Sequence, residues 1–297
     1  TVAQFIAHQD RLFAYMADTL EVRWCPSLQP NGIWATAAQA IRIPSSDPAI
    51  TGGVSHKLST AETGIISELI FTTASQTWAI IGTQGWGPGL VNAIGTDIRL
   101  HSVSGLVGSL SPSTFVNTPI GLIFLGRIFG RTQLFLLSGF GEQSRLVPIF
   151  GIRRDLNAIP VSRLGLATAT YADGWYMLSY ALPGDDKNRR EFWLNVEGLR
   201  QIPEGLWGPF YGPMIRAGNI SGIGCYIPFV GGSDNTELYV GDSGSGSLYQ
   251  INTGDDDEGQ SVVLLVQTPW FDAQAPGKAK RLWYAGVNAE RRSGNPM

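Results

Sequence analysis

The stretch ATATYADGWYMLSY, residues Ala167 to Tyr180, decides the fold class of this 297-residue chain. Two segments rich in aromatic, β-branched and other apolar residues flank Asp173 and Gly174. Asp-Gly supplies the positive φ angles that a two-residue hairpin turn requires, so the stretch predicts two antiparallel strands, Ala167 to Tyr171 and Trp175 to Tyr180. The hairpin is therefore the expected building unit.

Two more hairpins repeat this pattern on either side of it. Leu20 to Trp24 alternates apolar and polar side chains, which is typical of a strand with one buried face. Arg11 to Met16 precedes it across residues 17–19 and is its expected partner. Glu237 to Val240 and Ser247 to Ile251 form the other pair, joined by a loop of Gly, Asp and Ser. We therefore expect hairpins to dominate the chain.

Other strands are expected to be buried on both faces. The runs Leu134 to Leu137 and Val262 to Val266 are apolar at every position, which suits strands that lie between two layers. The only helix candidates are short, namely Thr36 to Ile43 and Ala279 to Ala285. The sequence therefore predicts an all-β protein, either a sandwich or a propeller.

Glycine is frequent and charge is scarce in this sequence. There are 37 Gly among 297 residues, where about 7% is usual, and 15% charged residues, where about 25% is typical. This composition argues against coiled coils, helical bundles and disordered tails. The net charge is −3, from 21 Lys and Arg against 24 Asp and Glu, which disfavours nucleic-acid binding as the main task. No uninterrupted apolar run reaches the length of about 18 residues that predicts a membrane span.

The spacing of the strand-turn units favours a β-propeller-like architecture. About 45 residues per four-stranded blade predicts six to seven blades in a chain of this length. No low-complexity linker divides the sequence, so residues 1–297 are expected to form a single domain. The first residue is Thr1 rather than Met, and we expect a fragment or trimmed form of a longer chain.

The string from Gly241 to Gly244, Gly-Asp-Ser-Gly, matches the nucleophile turn of trypsin-like serine proteases. A nucleophilic Ser243 would need a histidine base and a carboxylate that orients it. The three histidines, His8, His56 and His101, lie in no setting typical of that base. Glycines alternate with serines after Ser243 before an apolar strand resumes, which is typical of a wide hairpin loop. We therefore predict a turn here, no catalytic residues, and no enzyme.

No metal or cofactor site is predicted. The acidic cluster Asp255 to Glu258 is consecutive and lacks the alternating ligands and distal glutamate of a calcium loop, so it is interpreted as a solvated turn. The histidines lack the spacing of zinc ligands. Cys25 and Cys225 lie far apart, and both a disulfide and two buried thiols remain open.

A carbohydrate-active propeller is the alternative function. Glycoside hydrolysis needs two carboxyl groups about 5 to 10 Å apart in a cleft, a separation that a sequence does not show. Ala172 to Trp175 only partly matches the repeated turn of sialidase-like blades. Most of the nine Trp and nine Tyr are expected in the core, although exposed ones could bind sugar. The glycosylation sequon Asn219 to Ser221 matters only in a secreted eukaryotic protein.

Several short strings of residues occur in a characteristic order along the chain. They are Phe5 to Phe13, Pro30 with Trp34, Ile50 to Gly52, Ser75 to Ile80 with Gly82, Ser111 to Ser113, Asn117 to Arg127, and Leu238 to Asp242 with Gly246 to Tyr249. In this order the strings resemble the propeller-type tail or neck structural proteins of short-tailed phages, which include tail tubular protein B-like nozzles and tail stabilisation proteins. One departure is that Ile128, Phe129 and Gly130 follow Arg127 where the family has an Asp-Gly turn.

The resemblance implies a structural component of a phage virion, in the tail or the head-to-tail connector, that forms an oligomeric ring around the DNA path. Its implied partners are other copies of itself and neighbouring tail and portal or adaptor proteins, with at most passive contact with passing DNA. The family implies no catalytic residues and no cofactor. Low charge and the apolar loop Leu206 to Tyr211 are compatible with surfaces buried between subunits.

Overall fold

The computed structural model describes residues 2–8, 11–25, 40–60, 64–81, 99–149, 153–200, 210–215, 220, 222–230 and 236–251. These residues belong to one compact unit formed by residues 1–216 and 220–251. A second unit, residues 217–219 and 252–297, lies outside them, together with the predicted strand Val262 to Val266 and the acidic cluster Asp255 to Glu258. Within the described residues, twenty strands form five antiparallel sheets, which confirms the all-β class.

Each sheet is built from strands that are neighbours in sequence. Sheet 1 contains β1 (Val2–His8), β2 (Arg11–Met16), β3 (Glu21–Trp24) and β4 (Ala40–Arg42). Sheet 2 contains β5 (Ile50–Thr60), β6 (Gly64–Thr73), β7 (Thr77–Ile81) and β8 (Arg99–Ser104). Sheet 3 contains β9 (Val107–Gly108), β10 (Val116–Thr118), β11 (Gly121–Ile128), β12 (Arg131–Ser138) and β13 (Arg145–Ile149). Sheet 4 contains β14 (Thr168–Ala172), β15 (Trp175–Tyr180), β16 (Arg190–Asn195) and β17 (Phe210–Ile215), and sheet 5 contains β18 (Ile223–Val230), β19 (Thr236–Asp242) and β20 (Leu248–Ile251).

Helices are few and short in the described part of the chain. They are α1 (Arg153–Leu156), α2 (Val196–Arg200) and the 3-10 segments Pro112–Thr114, Gly141–Gln143 and Val161–Leu166. None of them has the length and hydrophobicity needed to cross a membrane.

One expected helix is wrong over its described part. Ala40–Arg42, inside the candidate Thr36 to Ile43, forms β4 and pairs with β3, with Ile41 opposite Val22. A short isolated helix has marginal stability in water. Pairing with β3 instead supplies hydrogen-bond partners for the backbone of these residues. The other candidate, Ala279 to Ala285, lies outside the described residues.

The predicted hairpins are confirmed. β14 and β15 pair around Asp173 (φ 49°) and Gly174 (φ 83°), both in the left-handed region that this turn requires. β2 pairs with β3, and β19 pairs with β20 across the Gly, Asp and Ser loop, as predicted.

The departure after Arg127 is a turn of the same kind. Ile128 pairs with Arg131, and Phe129 (φ 48°) and Gly130 (φ 77°) occupy the two turn positions. Phenylalanine therefore stands at the turn position where the resemblance led us to expect Asp. Positive φ is strained for a bulky side chain, so the position is unusual for this residue type.

Apolar side chains alternate between two interfaces along the central strands. In β6, Leu69 and Phe71 face sheet 1, whereas Ile70 packs with sheet 3. In β12, Leu134 joins the cluster shared with sheet 4, whereas Phe135 packs toward sheet 2. Period-two alternation explains why the run Leu134 to Leu137 is apolar throughout. The prediction that this strand lies between two layers is confirmed.

The sheets also meet through their leading strands. β1 contacts β5, β5 contacts β10, β10 contacts β14, and β14 contacts β18. Four hydrophobic clusters fill the spaces between successive sheets. Sheet 4 thus packs on sheet 3 with one face and on sheet 5 with the other. Among the described residues, sheet 5 has a hydrophobic cluster only on the face that packs on sheet 4.

Candidate functional site

The protease-like string, Gly241 to Gly244, forms the end of β19 and the start of the turn that follows it. Asp242, at the end of β19, is buried, and its carboxylate accepts hydrogen bonds from the backbone amides of Gly222 at 2.9 Å, Gly244 at 3.2 Å and Ser245 at 2.8 Å. Ser243 Oγ donates to the Gly222 carbonyl at 3.0 Å. Both side chains therefore tie the loop to the start of sheet 5, as the turn interpretation predicts.

The described hydrogen bonds of His8 and His56 go to sheet 2 and not to this loop. His101 is in β8 of sheet 2, whereas His8 and His56 bond to residues of the same sheet. His8 Nδ1 lies 2.8 Å from Ser55 Oγ, a distance typical of a base and its nucleophile. Yet His8 is only 2% exposed and Ser55 is also buried, so no substrate reaches the pair. The pair instead joins sheet 1 to sheet 2.

Burial also sets the charge of His8. Desolvation, together with the positive charge of Lys57, lowers the pKa of His8 from 6.5 to about 4. The imidazole is therefore neutral at neutral pH, and its bond to Ser55 is a bond between uncharged groups. Protonation of His8 would place an unpaired positive charge between two sheets.

His56, which follows Ser55 along β5, faces the other side of sheet 2 and joins that sheet to sheet 3. His56 Nδ1 donates to Glu68 Oε1 at 3.1 Å, and its ring stacks on Phe140 with ring centroids 4.5 Å apart. The same carboxylate accepts from Ser144 Oγ at 3.2 Å and from the Gly141 amide at 3.0 Å. His56 and Glu68 are both buried, so this group acts as a structural fastening rather than an accessible acid or base.

Asn117 fastens the same two sheets through backbone groups. Its Nδ2 donates to the Ser55 carbonyl at 2.9 Å, and its Oδ1 accepts from the Lys57 amide at 3.0 Å. The side-chain amide thus replaces a strand as hydrogen-bond partner of β5. This pairing satisfies backbone groups that would otherwise lack a ladder partner on that side.

Comparable bonds join the later sheets. Tyr176 OH donates to the Thr114 carbonyl at 3.0 Å between sheets 4 and 3. Asn188 Nδ2 donates to the Ile223 carbonyl at 3.0 Å, and Tyr226 OH donates to buried Glu191, both between sheets 4 and 5. Every pair of successive sheets is therefore linked by at least one buried polar contact as well as by a hydrophobic cluster.

A solvent-facing apolar surface covers the other side of sheet 5. Cys225, Ile227 and Phe229 alternate along β18 away from the core, and Leu248 lies on the same face of β20. Phe229 is 57% exposed and Leu248 is 58% exposed. Tyr239, opposite Ile227 in β19, and the exposed Gln250, opposite Tyr239 in β20, lie on the same side, which we call the outer face of sheet 5. Exposed apolar side chains on a sheet face are typical of a surface that another segment or another chain covers.

A second exposed apolar feature is the turn between β11 and β12. Phe129 is 78% exposed, and Leu106, next to the strand that pairs with this end of β11, is also exposed. Arg127 Nη2 donates to the Gly130 carbonyl at 3.2 Å and braces the turn. Arg131 is exposed directly after the turn. We call this group the Phe129 tip.

The cysteines are both free thiols. Cys25 is buried and its Sγ accepts from the Leu12 amide at 3.3 Å, whereas Cys225 is exposed on the outer face of sheet 5. Of the two interpretations left open by the sequence, the buried thiol therefore holds for Cys25 alone.

Half-buried tryptophans pack on the core rather than forming an open platform. Trp175 and Trp193 lie with ring centroids 6.2 Å apart and contact the hydrophobic cluster between sheets 4 and 5. The apolar loop Leu206 to Tyr211 is corrected in part, because Phe210 and Tyr211 belong to β17, where pairing with β16 extends the sheet. Asn219 and Ser221 of the sequon lie outside the described residues.

The described residues contain no group of three or more His, Cys, Asp or Glu side chains arranged to hold a metal ion. Comparison with protein-family models and with curated proteins gives no match. Among the described residues, exposed apolar side chains lie at the Phe129 tip and on the outer face of sheet 5.

Proposed function

We propose that this chain is a structural, non-enzymatic component of a phage virion, in the tail or the head-to-tail connector, where identical copies form a ring around the DNA path. The observation that carries the proposal is the series of five sheets, in which every two successive sheets share a hydrophobic cluster and a buried hydrogen bond. The ordered strings that resemble propeller-type tail proteins supply the class of assembly.

We also propose that the sheets are blades of a β-propeller-like fold. The meander order within each sheet and the contacts between leading strands support this, since both are features of propeller blades. The described residues hold five sheets, where a spacing of about 45 residues gives six to seven blades for the complete chain. The blade number of the complete chain stays a prediction.

Rigidity supports the structural role. A virion component has to keep its shape under load, and each pair of successive sheets shares both a hydrophobic cluster and buried hydrogen bonds. Buried polar groups that are satisfied only in one arrangement favour a single packing of the sheets. Passage of DNA requires no attraction to phosphate, and a net charge of −3 supplies none.

Sedimentation velocity over a wide concentration range tests the proposal. We expect one oligomer of fixed stoichiometry, with a population that increases with protein concentration. A glycan array and a glycoside hydrolysis screen, run on the same preparation, address the alternative function. A protein that stays monomeric and turns over or binds a glycan would replace the virion proposal with the carbohydrate one.

A further inference from the structure

Four large apolar side chains are exposed near one end of sheets 3 and 4. Phe129 and Leu106 belong to the Phe129 tip, and Val161 and Leu166 begin and end the 3-10 segment Val161–Leu166. Phe129 adopts φ 48°, a conformation whose cost Asn or Gly would avoid, although the residue is 78% exposed. A costly conformation at an exposed position favours a function for this ring outside the folded chain.

Hydrogen bonds place the 3-10 segment at the same end of sheet 3 as the Phe129 tip. β9 pairs with the tip end of β11, and three residues after β9 the Ser111 Oγ donates to the Leu164 carbonyl at 2.6 Å. The amide of Thr132, the second residue of β12, donates to Asn157 Oδ1 at 2.7 Å. Both ends of the tip hairpin are therefore close to residues that lead into the segment or belong to it.

The loop between β15 and β16, residues 181–189, lies beside the same segment. Arg163 Nη1 donates to the Asp186 carbonyl of this loop at 3.1 Å. We call the Phe129 tip, residues 161–166 and residues 181–189 together the tip surface. Packing of one sheet on the next covers sheet faces and leaves the loops at their ends uncovered, so the proposed propeller keeps the tip surface accessible.

The charge of the tip surface is opposite to that of the whole chain. Five Lys and Arg residues against two Asp residues give it a net charge of +3, whereas the whole chain carries −3. The two carboxylates lie near arginines, with Asp185 at 3.4 Å from Arg190 and Asp186 at 4.0 Å from Arg189. The half-buried Asp155 of the neighbouring helix α1 leaves the local charge positive.

The arginines nearest to Phe129 keep their charge available. Arg127 Nη2 donates to the Gly130 carbonyl and Arg163 Nη1 to the Asp186 carbonyl, and both acceptors are uncharged. These bonds hold the guanidinium groups in place without neutralising them. Arg131 is exposed directly after the turn. Basic side chains therefore surround the exposed apolar ones.

An anionic lipid bilayer matches this combination of side chains. Exposed apolar side chains enter the boundary between head groups and acyl chains, while Lys and Arg attract anionic head groups. A nucleic acid would match the positive charge but would gain little from the aliphatic Leu106, Val161 and Leu166, because phosphate contacts dominate its binding. A bilayer also accepts a protruding side chain without a preformed pocket.

We propose that the tip surface binds the head-group region of an anionic lipid bilayer, with the Phe129 ring inserted toward the acyl chains. This inference goes beyond the proposed virion role and does not depend on ring formation.

Flotation of the purified full chain with lipid vesicles tests the inference. The vesicles contain phosphatidylcholine with about 30% phosphatidylserine, and vesicles of phosphatidylcholine alone are the reference. We expect the wild type to bind the anionic vesicles at least about tenfold more tightly than the neutral ones. Raising the salt concentration from about 0.1 M to about 1 M should weaken this binding, because the charges are screened.

Two variants test the two kinds of side chain. Phe129→Asn should weaken binding about tenfold or more and keep or raise the Tm, because Asn tolerates positive φ. Arg131→Gln should weaken binding to the anionic vesicles about fivefold. The matched controls, which should bind as the wild type does, are Phe229→Asn on the outer face of sheet 5 and Arg145→Gln, exposed at the other end of β12 opposite Ser138.

The outcomes separate the lipid inference from the proposed function. No binding to anionic vesicles, equal binding to neutral ones, or unchanged binding of Phe129→Asn or Arg131→Gln overturns the lipid inference and leaves the proposed ring standing. Tighter binding of the wild type to duplex DNA than to anionic vesicles overturns it in favour of a nucleic-acid surface. Vesicle binding by a chain that is monomeric at every concentration supports the lipid inference and overturns the ring alone.

Discussion

Acid should loosen the contact between sheets 1 and 2 through His8. The pKa of His8 is lowered from 6.5 to about 4 in the folded protein, because the ring is buried and lies near Lys57. The unfolded chain therefore binds a proton that the folded chain refuses between these pH values. The contribution of neutral His8 to stability is present above pH 6.5 and is lost progressively as the pH falls toward 4.

The size of this loss follows from the two pKa values. Each pKa unit corresponds to about 1.4 kcal/mol, so lowering the pH from 7 to 5 should cost about 2 kcal/mol of unfolding free energy. The full difference, reached at still lower pH, is about 3 kcal/mol. The window from pH 7 to 5 is chosen because most carboxylates stay ionised there.

Urea unfolding of His8→Gln and the wild type at pH 7, 6 and 5 measures the effect. Gln can still hydrogen bond to Ser55 but does not titrate, so its unfolding free energy should fall about 2 kcal/mol less than that of the wild type. His101→Gln, at a partly exposed position in β8, is the matched His-to-Gln control. Equal slopes for His8→Gln and the wild type would refute the assignment of His8 as a buried neutral group.

Three further outcomes are expected from the buried and exposed polar groups. Glu68→Ala leaves two buried donors, on His56 and Ser144, and the partly buried Gly141 amide without their acceptor. It should lower the unfolding free energy by about 3–5 kcal/mol in urea titrations, whereas Glu142→Ala, at an exposed ion pair, should change it by less than about 1 kcal/mol. If Glu68→Ala loses as little unfolding free energy as Glu142→Ala, then Glu68 does not stabilise the contact between sheets 2 and 3. Asp242→Ala should lower the Tm by several degrees, because three backbone amides lose their acceptor, and an unchanged melting curve would contradict the turn assignment. Ser243 should give no adduct with a fluorophosphonate probe in intact-mass measurements, and stoichiometric labelling would restore the protease hypothesis.

Local turn chemistry made the hairpins predictable from the sequence. Asp173-Gly174 specifies its turn through residues that tolerate positive φ, and the flanking strands follow from their composition. Phe129-Gly130 forms the same turn without that signal at its first position. Pairing of β11 with β12 imposes the turn there, so the local preference of phenylalanine is overridden by the sheet.

The polar contacts between sheets could not be predicted from the sequence, because the residues that form them are distant in the chain. Ser144 lies 76 residues from Glu68, and Ser55 lies 47 residues from His8. Neither pairing follows from a local pattern, since it depends on which sheets become neighbours. A cue was present in β5, where serine and histidine stand next to each other and both are buried, which is uncommon for polar residues without a partner.

The outer face of sheet 5 was equally hard to foresee. Ile227 and Phe229 alternate with other residues of β18 as core residues would, and only the position of sheet 5 exposes them. Which face of a strand is covered depends on the neighbouring sheet and not on the strand itself. Exposure of this face therefore required the three-dimensional arrangement.

The most direct test of the central claim is electron microscopy of the purified full chain. Two-dimensional class averages should show rings with one rotational symmetry and an open centre, because a ring of identical copies closes by rotation about one axis. Single copies at every concentration, or aggregates without rotational symmetry, would contradict the account of the chain as a ring-forming structural protein.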